Sequence, residues 1–524
     1  MKRRLALVAL VLALSGAALA ADPGRFMVLS FRGSEPPTEL IERYRPAGVI
    51  LFPSNLREDP VGLVRALRQR YPDLLVMIDQ EGGPFFSYRA PGVPRFPAAM
   101  ALAAAGDPEL TRAVGRAIGQ EIAYLGANVD LAPVLDVNVN PKNPIIGLRS
   151  FGADPEGVIR HGLAFARGLE EAGVLWTAKH FPGHGDTQTD SHSGLPIVDK
   201  PTAEIERVEL APFRAAVKVG APLIMTAHIL YPALDPDRPA TLSRKILTGL
   251  LRERMGYDGL IVTDDMGMRA IADRWGSGEA AVMAVEAGAD LVLVGRGGTA
   301  EAVYAALDEA LKSGRIGGAR AAATEARLRA ALARVRPPAP EPDWKALAAL
   351  NLKAARAGVT WLSGELPLPG AGTLVVAPRV RATWGAEPSL AELAPKYLPG
   401  AHYQVVGEVP SGSDITAAVA RAKRFDRVVL GTYHWLGRLP EEQVWLYEAL
   451  VRTGKPVYVV ALGNPDDYTY LDPAPAGYLA TYGYRAAQVR AALEALAGVF
   501  TPGGTLPVPV GPFPIGSGKG RKRL

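Results

Sequence analysis

The 524-residue sequence contains no cysteine, which excludes disulfide bonds and lipid attachment at a cysteine. Beyond residue 20 it also lacks any apolar run near the roughly 20 residues that a membrane-spanning helix needs. The net charge of +5 is confined to the two ends, since three cations lie within residues 2–4 and four within residues 516–524. The body between them is close to neutral and gives no indication of a nucleic-acid partner.

Residues 1–20 combine three early cations, an apolar run over 5–14 and a small-residue segment over 15–20. This pattern predicts a secretory signal peptide that is removed before Ala21, and therefore an exported protein, periplasmic or extracellular. An uncleaved N-terminal anchor is the alternative. At the other end, residues 511–524 are expected to form a basic, disordered tail.

Short apolar runs alternate with helical stretches between residues 26 and 295. The runs are continuous rather than alternating, which is typical of parallel strands buried on both faces. Helical stretches such as 108–126, 155–173 and 202–220 lie between them and end at glycine. Eight such units predict a TIM-type (β/α)8-like barrel over residues 21–336. The expected strands are 26–31, 48–52, 74–79, 127–132, 175–179, 223–228, 260–264 and 290–295.

A proline-rich stretch at 337–343 follows the barrel and predicts a stiff linker. Beyond it, apolar runs alternate with helical segments such as 440–453, which predicts a smaller α/β sandwich domain over residues 344–510. Its polar loops show no cluster of reactive side chains like that of the first domain, so we expect a scaffolding or interface role. The strands expected in it are 374–377, 427–431 and 457–461.

The most informative stretch is 179–192, KHFPGHGDTQTDSH, which holds three of the seven histidines of the chain. Proline and glycine exclude a helix here. Lys179, three histidines and two aspartates therefore lie on a loop at the carboxyl end of a strand. A rigid scaffold often carries catalytic groups on such loops. The combination favours a catalytic site over a set of backbone caps.

Polar residues also end other predicted strands. In a barrel the carboxyl ends of all strands form one mouth, so side chains that are far apart in sequence converge there. The residues placed in this way are Asp79, Lys179, His180, His228 and Asp264.

These residue types restrict the chemistry. A carboxylate such as Asp264 at a barrel mouth suits a nucleophile, a general base or a metal ligand. Asp190 lies two residues before His192 and would orient its imidazole and raise its basicity. A carboxylate nucleophile with a proton donor is the arrangement of retaining glycosidases, although their donor is ordinarily a carboxylic acid.

A metal site is the alternative interpretation of these residues. However, His180 and His184 lie on a Pro-Gly segment and no His-Glu-x-x-His motif occurs, so no metal or other cofactor is expected.

Seven short motifs follow one another through the first domain. They are IDQEGG at 78–83, NVDLAPVLD at 128–136, RSFG at 149–152, KHFPGHG at 179–185, DSH at 190–192, MTAH at 225–228 and VTDD at 262–265. In this order they resemble the motifs of the β-N-acetylhexosaminidases of glycoside hydrolase family 3, the β-N-acetylglucosaminidases that cut peptidoglycan fragments. The set covers residues 26–300 densely and is specific, whereas the second domain resembles the family weakly, at 500–508.

The resemblance implies that Asp264 is the nucleophile and that His192, paired with Asp190, is the mobile acid/base. The Asp-x-His loop separates this branch from the family 3 β-glucosidases, whose acid is typically a Glu of the second domain. One motif departs from the family pattern, Gly-Gly-Arg-Val-x-Arg, because residues 82–89 read GGPFFSYR. Arg89 is therefore our candidate for the sugar-binding arginine. The implied substrate-binding set is Asp79, Arg89, Arg149, Lys179, His180 and His228.

The expected function is that of a retaining exo-β-N-acetylglucosaminidase. It would hydrolyse terminal β-linked GlcNAc from peptidoglycan- or chitin-type saccharides through a covalent glycosyl-aspartate. A phosphorylase or β-glucosidase of the same family is one alternative, since a histidine acid repels phosphate less than a glutamate would. A non-catalytic envelope saccharide-binding protein is the alternative of a different class, against which Asp190, His192 and Asp264 argue. The natural substrate and the oligomeric state stay open.

Overall fold

The structure is a computed structural model that describes residues 22–295, 299–380 and 387–520. The expected signal peptide lies outside these residues. No helix within the three described ranges is long and apolar enough to cross a membrane.

All eight apolar runs of the first domain form strands of one parallel sheet. The sheet order is β10-β1-β2-β3-β6-β7-β8-β9, and a parallel bridge between Val262 and Leu291 joins the two ends. The expected (β/α)8-like barrel is therefore confirmed. The strands are β1 Met27–Ser30, β2 Gly48–Leu51, β3 Leu75–Ile78, β6 Val129–Asp130, β7 Leu175–Phe181, β8 Leu223–Thr226, β9 Leu260–Val262 and β10 Val292–Val294, with β4 Gln80–Gly82 and β5 Phe85–Phe86 forming a separate hairpin above β3.

Successive residues of each strand point alternately into two hydrophobic cores, one inside the barrel and one between the barrel and its helices. In β2, Ile50 packs inside the barrel, whereas Val49 and Leu51 pack against the surrounding helices. Burial on both faces explains why the strands read as continuous apolar runs. It also leaves the strand ends as the place where polar groups can gather.

Helices surround the barrel, and three of them begin at an Asp-Pro pair. Asp59, Asp107 and Asp154 each accept a backbone N–H of the first turn, and the following proline is preorganised for a helix. The helices are α1 Thr38–Tyr44, α2 Pro60–Arg70, α3 Ala99–Ala104, α4 Pro108–Leu125, α5 Pro155–Glu171, α6 Thr202–Arg207, α7 Leu210–Lys218, α8 Arg269–Trp275, α9 Ser277–Ala287, α10 Ala300–Lys312 and α11 Gly318–Leu332, with a π-helix at Lys245–Arg254.

The stretch 202–220, expected as one helix, is two helices. The break between α6 and α7 coincides with Glu209, whose buried carboxylate accepts a hydrogen bond from Nζ of Lys200 at 2.8 Å. The amphipathic pattern of residues 202–220 is continuous, so nothing in the sequence indicated this buried ion pair or the break beside it.

The second domain is a six-stranded sheet with helices on both faces, as expected. Its order is β11-β16-β15-β14-β12-β13, and all pairs are parallel except β11 with β16. The strands are β11 Thr360–Ser363, β12 Thr373–Pro378, β13 His402–Val406, β14 Arg427–Thr432, β15 Val457–Ala461 and β16 Gly477–Ala480. The helices are α12 Trp344–Gly358, α13 Leu390–Tyr397, α14 Gly412–Ala422, α15 Glu441–Val451 and α16 Ala486–Leu496.

The two domains share a packed interface. A Cβ at Gly358 of α12 would lie 2.6 Å from the carbonyl oxygen of Ala101 in α3, so only glycine allows this approach. The backbone N–H of Thr505 donates to the carbonyl of Ala104 at 2.9 Å. The second domain thus packs directly against α3 of the first domain.

The expectation of a disordered tail from residue 511 is wrong for residues 511–520. The N–H of Gly516 donates to the carbonyl of Leu506, and the N–H of Lys519 donates to the carbonyl of Trp361 at 2.8 Å. The Nζ of Lys519 also donates to the carbonyl of Gly364. These backbone contacts, which a composition-based prediction does not see, hold the segment on the second domain. Residues 521–524 lie outside the described residues.

Candidate active site

A chain of buried charges crosses the barrel mouth. Lys179, within β7, places Nζ 2.8 Å from Oδ1 of Asp79 and 2.6 Å from Oε1 of Glu81. Asp79 follows β3 and Glu81 lies in β4, so three segments meet at one ammonium. The side chain of Asp79 is 27% exposed, whereas Lys179 and Glu81 are almost fully buried. Asp79 is therefore the member of this group that faces the cleft.

Glu81 also holds Arg149 through two parallel hydrogen bonds. The Nε and Nη2 atoms of Arg149 each lie 2.8 Å from an oxygen of the Glu81 carboxylate. Burial would raise the pKa of Glu81, but Arg149 and Lys179 outweigh burial and lower the pKa to about 2. Burial lowers the pKa of both cations, yet the neighbouring carboxylates raise it above the ordinary value in each case. All three groups are thus charged at neutral pH.

His180 extends this network to Asp136. Its Nδ1 lies 2.7 Å from Oδ2 of Asp136, and its Nε2 lies 3.5 Å from Nη2 of Arg149. The other oxygen of Asp136 accepts the backbone N–H groups of His180 and His184, at 3.1 and 2.7 Å. Asp136 thereby fixes both the ring of His180 and the fold of the loop that carries it.

An aromatic pair borders the charges. The guanidinium carbon of Arg149 lies 4.3 Å from the centre of the Phe85 ring, within cation–π distance. The Phe85 ring meets the edge of Trp435, from the second domain, with centroids 5.8 Å apart. The site therefore has an apolar side built from both domains.

Asp264 lies two residues beyond β9 and is partly exposed. Its Oδ1 accepts the backbone N–H of Asp265 at 2.8 Å. Burial would raise the pKa of the Asp264 carboxyl, but the charge of His180 and this N–H outweigh burial and hold the pKa below its ordinary value. An ionised, accessible carboxylate at this place can act as a nucleophile.

Asp265 has a different environment. Its Oδ1 accepts the N–H groups of Gly267 and Gly295, both at 2.8 Å, and burial raises the pKa of its carboxyl. These bonds fix the turn after β9. Asp264, and not Asp265, is therefore the carboxylate presented to the cleft.

His228 lies behind this turn, and the structure does not place it against the cleft. It is 1% exposed, its Nδ1 lies 2.8 Å from Oγ1 of Thr241, and its Nε2 donates to the carbonyl of Asp265 at 3.0 Å. Burial lowers the pKa of the imidazole. His228, which was expected to bind substrate, thus holds the backbone of the turn that follows β9.

Asp190 and His192 form a hydrogen-bonded dyad on an exposed loop. Oδ1 of Asp190 lies 2.9 Å from Nδ1 of His192 and also accepts the backbone N–H of His192 at 2.9 Å. The hydrogen bond to Asp190 raises the pKa of His192, and the charge of Asp264 adds to this effect against partial burial. With Nδ1 engaged, Nε2 is the nitrogen that can exchange a proton with a substrate.

Ser191, between the two dyad residues, attaches the loop to the barrel. It is 2% exposed, and its Oγ lies 3.2 Å from Nε2 of His184. Its carbonyl accepts the N–H of Ala270 at 3.3 Å. The loop is therefore attached beneath a dyad whose side chains remain exposed.

Arg89, the candidate for the sugar-binding arginine, lines a cleft that does not include the residues of the charged network. Its Nε donates to the carbonyl of Phe86, and its guanidinium lines a separate cleft with Arg95 and Arg485. The longer Pro-Phe-Phe segment accounts for this, because it places the Phe85 ring over Arg149 and carries Arg89 beyond the site.

One group of described side chains has the composition of a metal site: His434, Asp466 and Asp467, in the second domain. Nε2 of His434 lies 2.6 Å from Oδ1 of Asp467 and 3.1 Å from Oδ1 of Asp466, although these three buried atoms make no hydrogen bond among the described residues. Burial lowers the pKa of His434, but the two carboxylates outweigh it and raise the pKa to about 10. The imidazolium itself then supplies the positive charge between the carboxylates.

Sequence reasoning missed four contributors to the site: Glu81, Asp136, Phe85 and Trp435. Glu81 and Asp136 belong to the motifs at 78–83 and 128–136, so the motifs contained the signal although no role was assigned to these residues. Phe85 lies in the segment that departs from the family pattern. For Trp435 no sequence signal existed, because its contribution depends on how the domains pack.

Known proteins resemble the chain in sequence over the first domain and in fold over most of its length. Residues 21–336 match the family model described as glycosyl hydrolase family 3 N terminal domain. A solved structure of a glycoside hydrolase family 3 β-N-acetylglucosaminidase from Paenibacillus sp. str. FPU-7 is 35% identical, with a TM-score of 0.88 over 94% of this chain and 99% of that one. A solved β-glucoside phosphorylase, 22% identical with a TM-score of 0.77, shares the fold.

Curated relatives match the barrel half of the chain. β-Hexosaminidase A from Pseudoalteromonas piscicida is 41% identical over 285 residues, 49% of this chain and 48% of that protein, so the match spans about half the length of this relative. A β-hexosaminidase from Neisseria meningitidis serogroup C is 35% identical over 51% of this chain and 76% of its own length. Because the family model alone covers residues 21–336 of 524, the chain belongs to glycosyl hydrolase family 3.

Proposed function

We propose that the protein is a retaining exo-β-N-acetylglucosaminidase. One observation carries this proposal: an ionised carboxylate, Asp264, and a proton-carrying dyad, Asp190–His192, share the mouth of one barrel. The electrostatic influence of Asp264 on His192 supports their proximity. The names of the similar proteins, β-hexosaminidases and a β-N-acetylglucosaminidase, support the same choice of sugar.

In the first step, a carboxylate oxygen of Asp264 attacks the anomeric carbon of the terminal sugar. The bond from that carbon to the leaving-group oxygen breaks, and this oxygen takes the proton of His192 Nε2. The products of the step are a covalent glycosyl-aspartate and a neutral alcohol. The raised pKa of His192 favours the protonated form of the ring, which is the form that donates the proton.

In the second step, water attacks the anomeric carbon and the bond to Asp264 breaks. His192 Nε2, now neutral, accepts the proton of the water, so both groups return to their starting states. Asp190 accompanies both proton transfers because it stabilises the imidazolium form of His192. Two displacements at one carbon retain the configuration of the sugar.

The charged network supplies the binding side of this mechanism. Asp79, partly exposed beside Lys179, can accept hydrogen bonds from sugar hydroxyls. Arg149 and His180 lie next to it and can bind further polar groups of the sugar. Because these side chains are fixed by one another, their positions cost little additional order when the sugar binds.

We further propose that the enzyme is exported and acts on peptidoglycan- or chitin-type saccharides. The signal-like segment at 1–20 supports export, and envelope saccharides with terminal GlcNAc would then be within reach. Release of GlcNAc from GlcNAc–MurNAc and from chitobiose, compared at equal concentration, decides which of the two substrates is preferred.

The central experiment compares p-nitrophenyl β-GlcNAc with p-nitrophenyl β-glucoside, each with and without phosphate. We expect rapid hydrolysis of the first, slow hydrolysis of the second, and no sugar phosphate. Proton NMR at early times should show the β-anomer of GlcNAc first, as retention requires. Formation of GlcNAc-1-phosphate would indicate a phosphorylase, preference for glucoside a β-glucosidase, and an initial α-anomer an inverting mechanism. Binding without turnover would indicate the saccharide-binding alternative.

A further inference from the structure

The second domain has a crevice where the connections of its sheet change direction. From β12 the chain crosses to β13 on one side, and then returns across β12 to β14 on the other. In open α/β sheets, ligands bind outside the carboxyl ends of the strands at such a switch point. Glu387 follows β12, Tyr433 follows β14 and Arg485 follows β16, so these ends converge here.

A cleft of about 420 Å³ opens at this place between the domains. The barrel domain contributes Arg89 and Arg95, and the second domain contributes Glu387, Arg485 and the first residues of α16. Its lining does not include the residues of the charged network, which are Asp79, Glu81, Asp136, Arg149, Lys179 and His180. The cleft is thus a separate cavity with its own polar lining.

Arg485 carries unused hydrogen-bonding capacity into this cleft. Its residue is 3% exposed, and Nη1 lies 3.5 Å from Oε1 of Glu387. Its buried Nε and Nη2 have no hydrogen-bond partner in the part of the chain that the structure describes. These two atoms form the same edge of the guanidinium with which Arg149 grips the carboxylate of Glu81. The edge of the guanidinium that holds a carboxylate in Arg149 is therefore buried and unpartnered in Arg485 among the described residues, beside the cleft that Arg485 lines.

The lining has an excess of positive charge. Three arginines, at 89, 95 and 485, face Glu387, whose Oε1 also lies 2.7 Å from Nη1 of Arg95. Burial, followed by the charges of Arg485 and Arg95, lowers the pKa of Arg89 to about 10. The remaining titratable groups nearby are Tyr433, Tyr484 and Glu408, of which the tyrosines are neutral because burial raises their pKa. An incoming anion would relieve the repulsion between the arginines.

The backbone adds donors of the same kind. Ala486 and Ala487 begin α16 and line the cleft, and first-turn N–H groups have no partner inside the helix. The N–H of Ala486 lies 3.3 Å from Oε2 of Glu387, so this helix end already receives one carboxylate. A helix N-terminus beside an unpartnered arginine edge is complementary to an oxyanion.

We propose that this cleft is an oxyanion-binding site that takes the carboxylate or phosphate group of a small ligand on the Nε–Nη2 edge of Arg485. Arg89 and the first turn of α16 supply the surrounding positive potential, and Glu387 holds Arg485 in place and competes with the ligand. The site is independent of the sugar hydrolysis at the barrel mouth.

Two probes distinguish the source of the oxyanion: inorganic phosphate and N-acetylmuramic acid, whose lactyl group carries a carboxylate. Binding is measured by titration calorimetry and by the melting temperature, with saturating GlcNAc present so that the sugar site is occupied. We expect at least one anion to bind, with Arg485→Lys weakening it about 10- to 100-fold, because lysine lacks the bidentate fork. Phosphate binding alone identifies a phosphate site, and N-acetylmuramate binding alone a sugar-acid site.

Three further variants keep the test decisive even where Arg485→Lys fails to fold. Arg89→Gln should weaken anion binding because it removes a positive charge from the cleft. Glu387→Gln should strengthen anion binding because it removes the carboxylate that competes with the ligand. If the cluster were purely structural, Glu387→Gln would lower the stability of the protein without any gain in affinity. Arg424 is an exposed arginine just before β14, at the amino-terminal end of the strands and therefore at the end away from the cleft. Arg424→Gln is the matched control and should bind the anion as the wild type does. The proposal is wrong if neither anion binds, or if Arg89→Gln and Glu387→Gln leave the affinity unchanged.

Discussion

Replacing Asp190 by Asn is the most informative perturbation of the dyad, because it removes a charge and keeps the shape. The lost contact is one charge-assisted hydrogen bond at 2.9 Å, a type worth about 1.5–3 kcal/mol. His192 is 61% exposed and Asp190 30% exposed, so solvent screening reduces the effect to about 1–1.5 kcal/mol. This corresponds to a roughly tenfold lower rate for a substrate whose leaving group needs a proton.

The same change should move the pH profile in a defined direction. Asp190 raises the pKa of His192, and the glycosylation step needs His192 protonated. Removing the carboxylate lowers that pKa, so the alkaline limb of kcat/KM shifts to lower pH. The acid limb, which reports ionisation of Asp264, should stay where it is.

The assay compares chitobiose, a poor leaving group, with 2,4-dinitrophenyl β-GlcNAc, an activated one. His192→Ala should lose about 10²–10⁴-fold on chitobiose and far less on the aryl substrate, with Asp190→Asn showing a milder form of the same pattern. Asp199→Asn, an exposed aspartate after the same loop, is the control for charge removal. Equal losses on both substrates, or an unmoved alkaline limb, would refute the assignment of His192 as the acid.

Three other predictions follow from the site and the termini. Asp264→Asn should lose at least about 10⁴-fold in kcat with an unchanged melting temperature, and more than a few per cent residual activity would place the nucleophile elsewhere. Glu81→Gln should cost about 3–5 kcal/mol of stability in denaturant unfolding, because it leaves buried cations uncompensated. Its folded-state pKa of about 2 lies below the ordinary 4.5, so this stabilisation is complete above pH 4.5 and disappears as the pH falls towards 2; a pH-independent difference would contradict the ion pair. Mass spectrometry of protein exported by the native host should find a first residue near Ala21, and a full-length cytoplasmic chain would remove the export proposal.

The barrel could be predicted because its signals are local. Apolar runs such as that of β3 are buried on both faces, and the Asp-Pro pair before α4 marks the start of that helix. Neither signal depends on distant parts of the chain. The same holds for the positions of Lys179 and Asp264 at strand ends.

The edge strands of the second domain could not be predicted in this way. β13 is an edge strand whose first residues, His402 and Tyr403, are exposed, so it reads as a polar segment. β11 is the other edge and pairs antiparallel with β16. Their pairing is decided by the sheet, not by their own composition.

The roles of individual charged residues could not be predicted from the sequence either. Glu81 and Asp136 are buried because Arg149, Lys179 and His180 reach them from other elements, and only this convergence makes their burial favourable. Arg89 shows the reverse, since its residue type suited a sugar site while the longer segment before it directed the side chain into another cleft.

The attachment of the dyad loop has a consequence for how the enzyme responds to acidity. His184, which holds Ser191, has its pKa lowered to about 4 by burial and by the neighbouring His180, whereas the exposed His192 is shifted upward. The two histidines of one loop thus titrate in separate pH ranges. In the proposed mechanism His192 gains and loses a proton, whereas the buried ring of His184 stays neutral at neutral pH. The hydrogen bond between His184 and Ser191 would then persist through turnover and keep the loop attached to the barrel.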